Sequence, residues 1–129
     1  MTMQRGMLFE IFSRLNHEFW ERIHTKMITY QMLADSFAQE PRDIHTVPLS
    51  GTPIWFYAYT ENGVIYIESA RKYTPSSKIA GRRALNEDET NAMYALYKRR
   101  RAGESVSQEA QQATINQVYW YGIFSDLKL

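Results

Sequence analysis

The chain has no cysteine. Disulfides, thiolate metal sites and cysteine nucleophiles are therefore excluded, and the absence fits a reducing compartment. Backbone punctuation is also sparse, with four prolines and six glycines in 129 residues. Every glycine is isolated, so no glycine-rich phosphate loop is present. No apolar run approaches the ~20 residues that cross a bilayer. The N-terminal stretch MTMQRGMLFEIFSRLNHEFW is interrupted by Glu10, Ser13, Arg14 and Asn16, which leaves no continuous apolar core for a secretion signal. The expectation is a soluble, cytoplasmic protein with no membrane partner.

Catalytic and metal-binding patterns are incomplete. His17, Glu21 and His24 share one helical stripe, but the residue four positions after His17 is a glutamate rather than a second histidine. The zinc-protease pattern is thus absent, and a solvated face explains these residues. Glu68 followed by Arg71 and Lys72 lacks the spacing of a nuclease metal pair. Ser50 and the pair Ser76–Ser77 have no histidine placed to activate them. No catalytic residue, metal or cofactor is expected, and an enzymatic role is the least favoured reading.

Aromatic residues are abundant: nine Tyr, six Phe and three Trp make up 14% of the chain. Large rings bury much area per side chain, so one small core is sufficient, and they also favour interfaces. Hydrophobic and charged contents of 44% and 22% are ordinary for a globular protein. The length predicts a single domain over residues 1–129.

Periodicity predicts an α+β fold: N-terminal amphipathic helices, a central antiparallel β-hairpin in a small sheet, and two C-terminal helices. Over residues 6–24, Leu8, Ile11, Phe12, Leu15, Phe19 and Ile23 fall in one sector about 120° wide. ITYQMLADSFA carries Tyr30, Leu33, Ala34 and Phe37 at helical spacing, and Pro41 and Pro48 bar continuation. Two β-rich runs flank Asn62-Gly63, a strong hairpin signal. In the first run Trp55, Tyr57 and Tyr59 alternate with Ile54, Phe56 and Ala58, and a third strand is expected near 44–50 or 71–80. Residues 71–85 read as loop or short strand.

Residues 87–102 then form a helix with Asn86 as N-cap, Glu89 as the capping-box partner and Gly103 as the stop. Its apolar side is Ala92, Met93, Leu96 and Tyr97. The last helix is expected to start at Ser105 or Ser107 and to run on as one piece. Val106, Ala110, Ala113, Gln117, Trp120, Tyr121 and Phe124 lie along one side of it.

Charge is concentrated. Residues 71–101 hold nine lysines and arginines against three acids, whereas residues 1–70 hold five against eight. Such clustering attracts polyanions. Asn91, Tyr94, Lys98 and Arg101 form a stripe along one helix face, with Arg71, Lys72, Arg82, Arg83 and Arg99 close in sequence. These nine are the candidate nucleic-acid-binding residues. The dipole of the helix by itself favours Lys98 to Arg101 at its C-terminus, and that competing explanation applies to the whole run.

Two resemblances bear on the choice. RRAGESVSQEAQQATINQVYWY, with Gly103, Ser105, Ala110 and Asn116, partly resembles the helix-turn-helix pattern of bacterial DNA-binding proteins. It departs from that pattern at Thr114, where a turn glycine belongs, and at Glu109, where an apolar residue belongs. Nearer the N-terminus, ITYQMLADSF and the hairpin have the element order of a winged helix. Against this, EPRDIHTVPLSG carries two prolines where a recognition helix should lie. The leading expectation is a small non-enzymatic accessory or regulatory protein that binds DNA or RNA through residues 71–101. The alternative is a protein-interaction module or homodimer that uses the aromatic groups PIWFYAY and VYWYGIF.

Overall fold

The computed structural model describes residues 28–129. The helix expected over 6–24, with His17, Glu21 and His24, lies outside the described residues. Within them the chain is α+β, with one four-stranded antiparallel sheet and four α-helices.

Helix α1 (Tyr30–Gln39) is capped by Thr29, whose hydroxyl accepts from the Met32 N–H at 3.2 Å. It buries the four residues that its period selects, Tyr30, Leu33, Ala34 and Phe37. After Pro41 the chain extends into β1 (Arg42–His45), then β2 (Trp55–Glu61) and β3 (Val64–Ser69), and a two-residue β4 (Arg83–Ala84). The strands lie in the order β1-β2-β3-β4. The additional strands therefore flank the hairpin on both sides, at 42–45 and 83–84, with only a single bridge from Trp55 to Ser76 in between. The hairpin turn is Asn62-Gly63 at φ 53° and 78°, the positive pair that a two-residue turn needs.

Alternation divides the sheet into two faces. Ile44, Phe56, Ala58, Ile65 and Ile67 are fully or almost fully buried. Asp43, Trp55, Tyr57, Tyr59, Tyr66 and Glu68 carry the other face, and His45 joins them at the edge. Ile54, expected on the face of Phe56 and Ala58, is 41% exposed at the end of the sheet, although its backbone is still held to Thr46 by two hydrogen bonds of 2.9 and 3.0 Å.

The helix expected from residue 87 begins with a 3₁₀ turn, Glu87–Glu89, and becomes α2 at Thr90–Arg101. Asn86 caps the turn by accepting from the Asp88 N–H at 3.0 Å. Glu89 makes no capping box; its carboxylate accepts instead from Trp120 Nε1 at 3.4 Å. Gly103 ends the helix at φ 93°, with the Glu104 N–H reaching back to the Arg99 carbonyl. The buried side is rotated from the expected one: Ala92 is exposed, and Tyr94 is 7% exposed with its ring edge on Phe124. A second helix packs on that side and draws the tyrosine in.

That second helix is part of a further correction. Residues 105–124 are two helices, α3 (Ser107–Ala113) and α4 (Gln117–Asp126), separated at Thr114, which is fully extended at φ −164° and ψ 154°. Neither Ser105 nor Ser107 caps α3; Val106 occupies that position. The Thr114 hydroxyl accepts from the Asn116 N–H, which stabilises the break locally. α4 is the apolar centre of the molecule, with Trp120, Ile123 and Phe124 fully buried. It rests so closely on the sheet that a Cβ at Gly122 would lie 2.8 Å from the His45 carbonyl oxygen. The Tyr30 hydroxyl ties α1 to the sheet, donating to Leu85 O at 2.8 Å and accepting from Ile65 N–H at 2.7 Å.

Burial of α4 removes it as a groove-reading helix. The winged-helix order fails in the same way, because β1 occupies the place of a recognition helix.

Candidate functional site

Eight of the nine candidate residues fall into two groups, and Arg83 stands apart. On α2 and after it, the cations are held by local partners. Arg99 donates to both Glu109 oxygens at 2.8 and 2.9 Å and to Glu104 at 3.2 Å. The bonds to Glu109 and then Glu104 hold its guanidinium more firmly protonated, while Arg99 lowers the Glu109 carboxyl below its ordinary value. Arg101 donates to the Leu129 carbonyl at 2.6 Å and lies over Tyr97, and Lys98 lies over Tyr94. Asn91 is exposed, but Tyr94 is in the core. Arg83 belongs to neither cluster. Its guanidinium donates to Asn116 Oδ1 at 3.2 Å and approaches the Tyr119 ring.

Arg71, Lys72 and Arg82 gather elsewhere, on the sheet face opposite α4. Tyr73 stacks on Trp55 with centroids 4.3 Å apart, and His45 meets Trp55 edge-on at 5.0 Å. Tyr59 and Tyr66 face each other across β2 and β3 at 5.7 Å, and Tyr57 is 5.7 Å from Tyr59 along β2. Two guanidinium groups lie over this row of rings. The Arg71 Cζ is 3.9 Å from the Tyr57 centroid, and the Arg82 Cζ is 3.7 Å from that of Tyr66. Arg82 also donates to Glu61 at 2.9 Å and to the Tyr59 hydroxyl at 3.3 Å. The bond to Tyr59 raises its pKa most, and Glu61 adds to it. Arg71 pairs with Glu68 at 3.3 Å, and Glu68 accepts from Tyr59 OH.

Asp43 sets the geometry of the loop that carries Arg71, Lys72 and Tyr73. Its two carboxylate oxygens accept the backbone N–H groups of all three, at 2.9, 2.7 and 2.9 Å. Partial burial would raise this carboxyl, but the three donors and the Arg71 charge outweigh it and hold it below the ordinary aspartate value. Further along, Pro75 and Ser77 exchange backbone hydrogen bonds with Trp55 at 2.8 and 2.7 Å. The segment 71–77 is thus moored beside the ring row.

Sequence reasoning located Trp55, Tyr57 and Tyr59 on one face but missed Asp43, Tyr66 and Tyr73 as members of the site. Tyr66 was readable, since the Asn-Gly turn sets its register opposite Tyr59. Asp43 had no local signal, because its partners lie 28 to 30 residues away. The second aromatic group, VYWYGIF, is core: Tyr119, Trp120, Tyr121 and Phe124 are all buried. Ser76 and Ser77 serve the loop, Ser76 accepting from Ala70 N–H and Ser77 bonded to Tyr119 OH at 2.6 Å.

A separate cavity of about 430 Å³ lies between the β1–β2 connection, the C-terminal end of α2, α3 and the first turns of α4. No helix among the described residues is long and apolar enough to cross a membrane. Comparison with protein-family models, with curated proteins and with solved structures returns no match.

Proposed function

We propose that this is a non-enzymatic accessory or regulatory protein that binds single-stranded nucleic acid across the outer sheet face, with Arg71, Lys72 and Arg82 as its cations. The observation that carries this reading is the pair of guanidinium groups lying over Tyr57 and Tyr66. A guanidinium over a ring leaves its outer side open to a stacked base, while its N–H groups point sideways to phosphate. Tyr73, 46% exposed and backed by Trp55, is a third stacking platform. Rings beside cations suit single strands, whose bases are free to stack whatever their identity. Arg99 of α2 is secondary, because two carboxylates hold it, Glu104 and Glu109, whereas Arg71 and Arg82 meet one each and also lie over rings.

The test is fluorescence anisotropy with a labelled oligothymidine, an unstructured RNA and a duplex of the same length, from about 50 to 200 mM salt. Single strands should bind more tightly than duplex. Lys72→Ala should make the salt slope shallower by about 0.7, the value for one phosphate contact on a single strand. Tyr73→Ala should cost about 1–3 kcal/mol, the usual worth of one base stack. Arg99→Ala should change neither affinity nor slope. Absence of binding at the lowest salt overturns the reading, as does an Arg99→Ala loss equal to that of Arg82→Ala.

One observation favours a second reading, a protein partner or second copy on the same face. Glu61 and Glu68 neutralise Arg82 and Arg71, so the ring row is less basic than its sequence. Light scattering at high concentration tests the homodimer: a dimer abolished by Tyr73→Ala supports it, and a monomer removes it.

A further inference from the structure

The cavity beside α4 combines apolar walls with polar groups that the protein leaves unused. Val47, Pro48, Leu49, Val106 and Val118 supply the apolar lining. Leu49 is 79% exposed at its rim, where an isolated leucine gains nothing from water. Its volume falls within the range of small-molecule sites. Two buried side-chain atoms of lining residues, Gln117 Oε1 and Tyr121 OH, have no hydrogen-bond partner among the described residues, and Tyr121 is 6% exposed. Buried polar atoms are normally paired, so two orphans at one cavity call for a cause.

The charge at this cavity is also unmatched. Arg100 donates to the Val47 carbonyl at 2.6 Å and lies over the Tyr121 ring at 4.8 Å. No carboxylate pairs with it among the described residues, whereas the adjacent Arg99 holds Glu104, the one acid of the lining. Burial raises the Tyr121 pKa, with the Arg100 charge opposing, so this hydroxyl is a neutral donor at ordinary pH.

The geometry points to a binding site for a small amphipathic anion, an apolar body with one carboxylate. The body fills the space beside Leu49, Val106 and Val118, and the carboxylate takes the Arg100 guanidinium and the Tyr121 hydroxyl. An anion held between Arg100 and Tyr121 gives both the unmatched charge and the unpaired donor a partner. This site is built from different residues than the sheet face and stands whether or not nucleic acid binds there.

Naphthoate and its neutral isostere naphthamide are the probes, titrated into the full chain by calorimetry and by amide NMR shifts. Naphthoate should saturate one site, bind at least fivefold more tightly than the amide, and shift residues 46–50, 103–107 and 117–121 rather than the sheet. Arg100→Gln should abolish the preference for the acid. Val118→Trp, made at a half-exposed rim position that does not carry the core, should block both probes. Tyr121→Phe should weaken naphthoate severalfold while the urea midpoint holds or rises, a pattern that a purely structural role does not produce. Absence of saturable binding to several millimolar overturns the assignment, as does equal affinity for acid and amide.

Discussion

Replacing Gly122 by alanine sets two opposing effects against each other. Gly122 is inside α4, where an alanine gains about 0.8–1.0 kcal/mol of helix propensity. The added methyl, however, would stand 2.8 Å from the His45 carbonyl oxygen and 3.1 and 3.2 Å from the Phe56 ring. Neither neighbour yields easily. The carbonyl belongs to a paired strand, and Phe56 is fully buried with its edge against Tyr119. α4 must therefore lift by several tenths of an ångström, loosening Trp120, Ile123 and Phe124 together. Overpacking typically costs about 1–3 kcal/mol, and two unyielding neighbours met at once put this case in the upper part of that range, about 2–3 kcal/mol, so the clash outweighs the propensity. The net loss should be about 1–2 kcal/mol, a fall in the urea midpoint of roughly 0.5–1 M at an ordinary m-value.

Urea titration followed by circular dichroism measures this change. Ala95→Gly, at an exposed position of α2, calibrates the propensity effect in the same protein. Phe56→Leu in the Gly122→Ala background should cost less than the sum of the two single changes, since it removes part of the obstruction. An alanine at 122 that leaves the midpoint unchanged or raises it would refute the close packing of α4 on β1 and β2.

Three other outcomes follow from the hydrogen bonds. Tyr30→Phe keeps the ring but strands the Ile65 N–H and the Leu85 carbonyl, and should lower stability by about 2–4 kcal/mol with an unchanged m-value in urea. Asp43→Asn weakens three bonds to the 71–73 loop and should cost about 1–2 kcal/mol, the lower range for a charged acceptor partly open to water. Because the Asp43 carboxyl is lowered in the folded state, its contribution is fully present above the ordinary aspartate value of about 3.9 and is lost as pH falls through the lower folded value. The gap between wild type and Asp43→Asn should therefore close in acid, as read from urea midpoints across a pH series. Thr114→Ala removes the acceptor of the Asn116 N–H and should cost about 1 kcal/mol in thermal melts without joining α3 to α4, since burial of α4 sets the break.

Much of the scaffold was legible from short-range pattern. Tyr30, Leu33, Ala34 and Phe37 declared a helix face, and Asn62-Gly63 declared both the hairpin and its register. Gly103 marked a helix end through its backbone alone. The helix start near residue 87 was read almost correctly. Its capping box failed because Glu89 has a competing partner, Trp120, 31 residues further on. The helix over 105–124 was misread because its apolar positions satisfy one continuous period. Only the descent of α4 into the core requires the chain to turn at Thr114.

The candidate site was less legible, for one physical reason. Counting cations locates charge along the chain, but whether a guanidinium is available depends on which carboxylate folds against it. Arg82 meets Glu61, 21 positions away, and Arg99 meets Glu109, ten away. The sequence by itself determined the helix faces, the hairpin, the alternation of Trp55, Tyr57 and Tyr59, and the clustering of positive charge, since each depends on neighbours a few positions apart. Tertiary structure alone decided that the nine candidates separate into two clusters with Arg83 apart from both, that Tyr94 is core, that Asp43 holds the loop of Arg71 to Tyr73, and that Arg100 faces a cavity whose one lining acid, Glu104, is bonded to Arg99 instead. Those outcomes depend on contacts between segments that only the packed sheet and helices bring together.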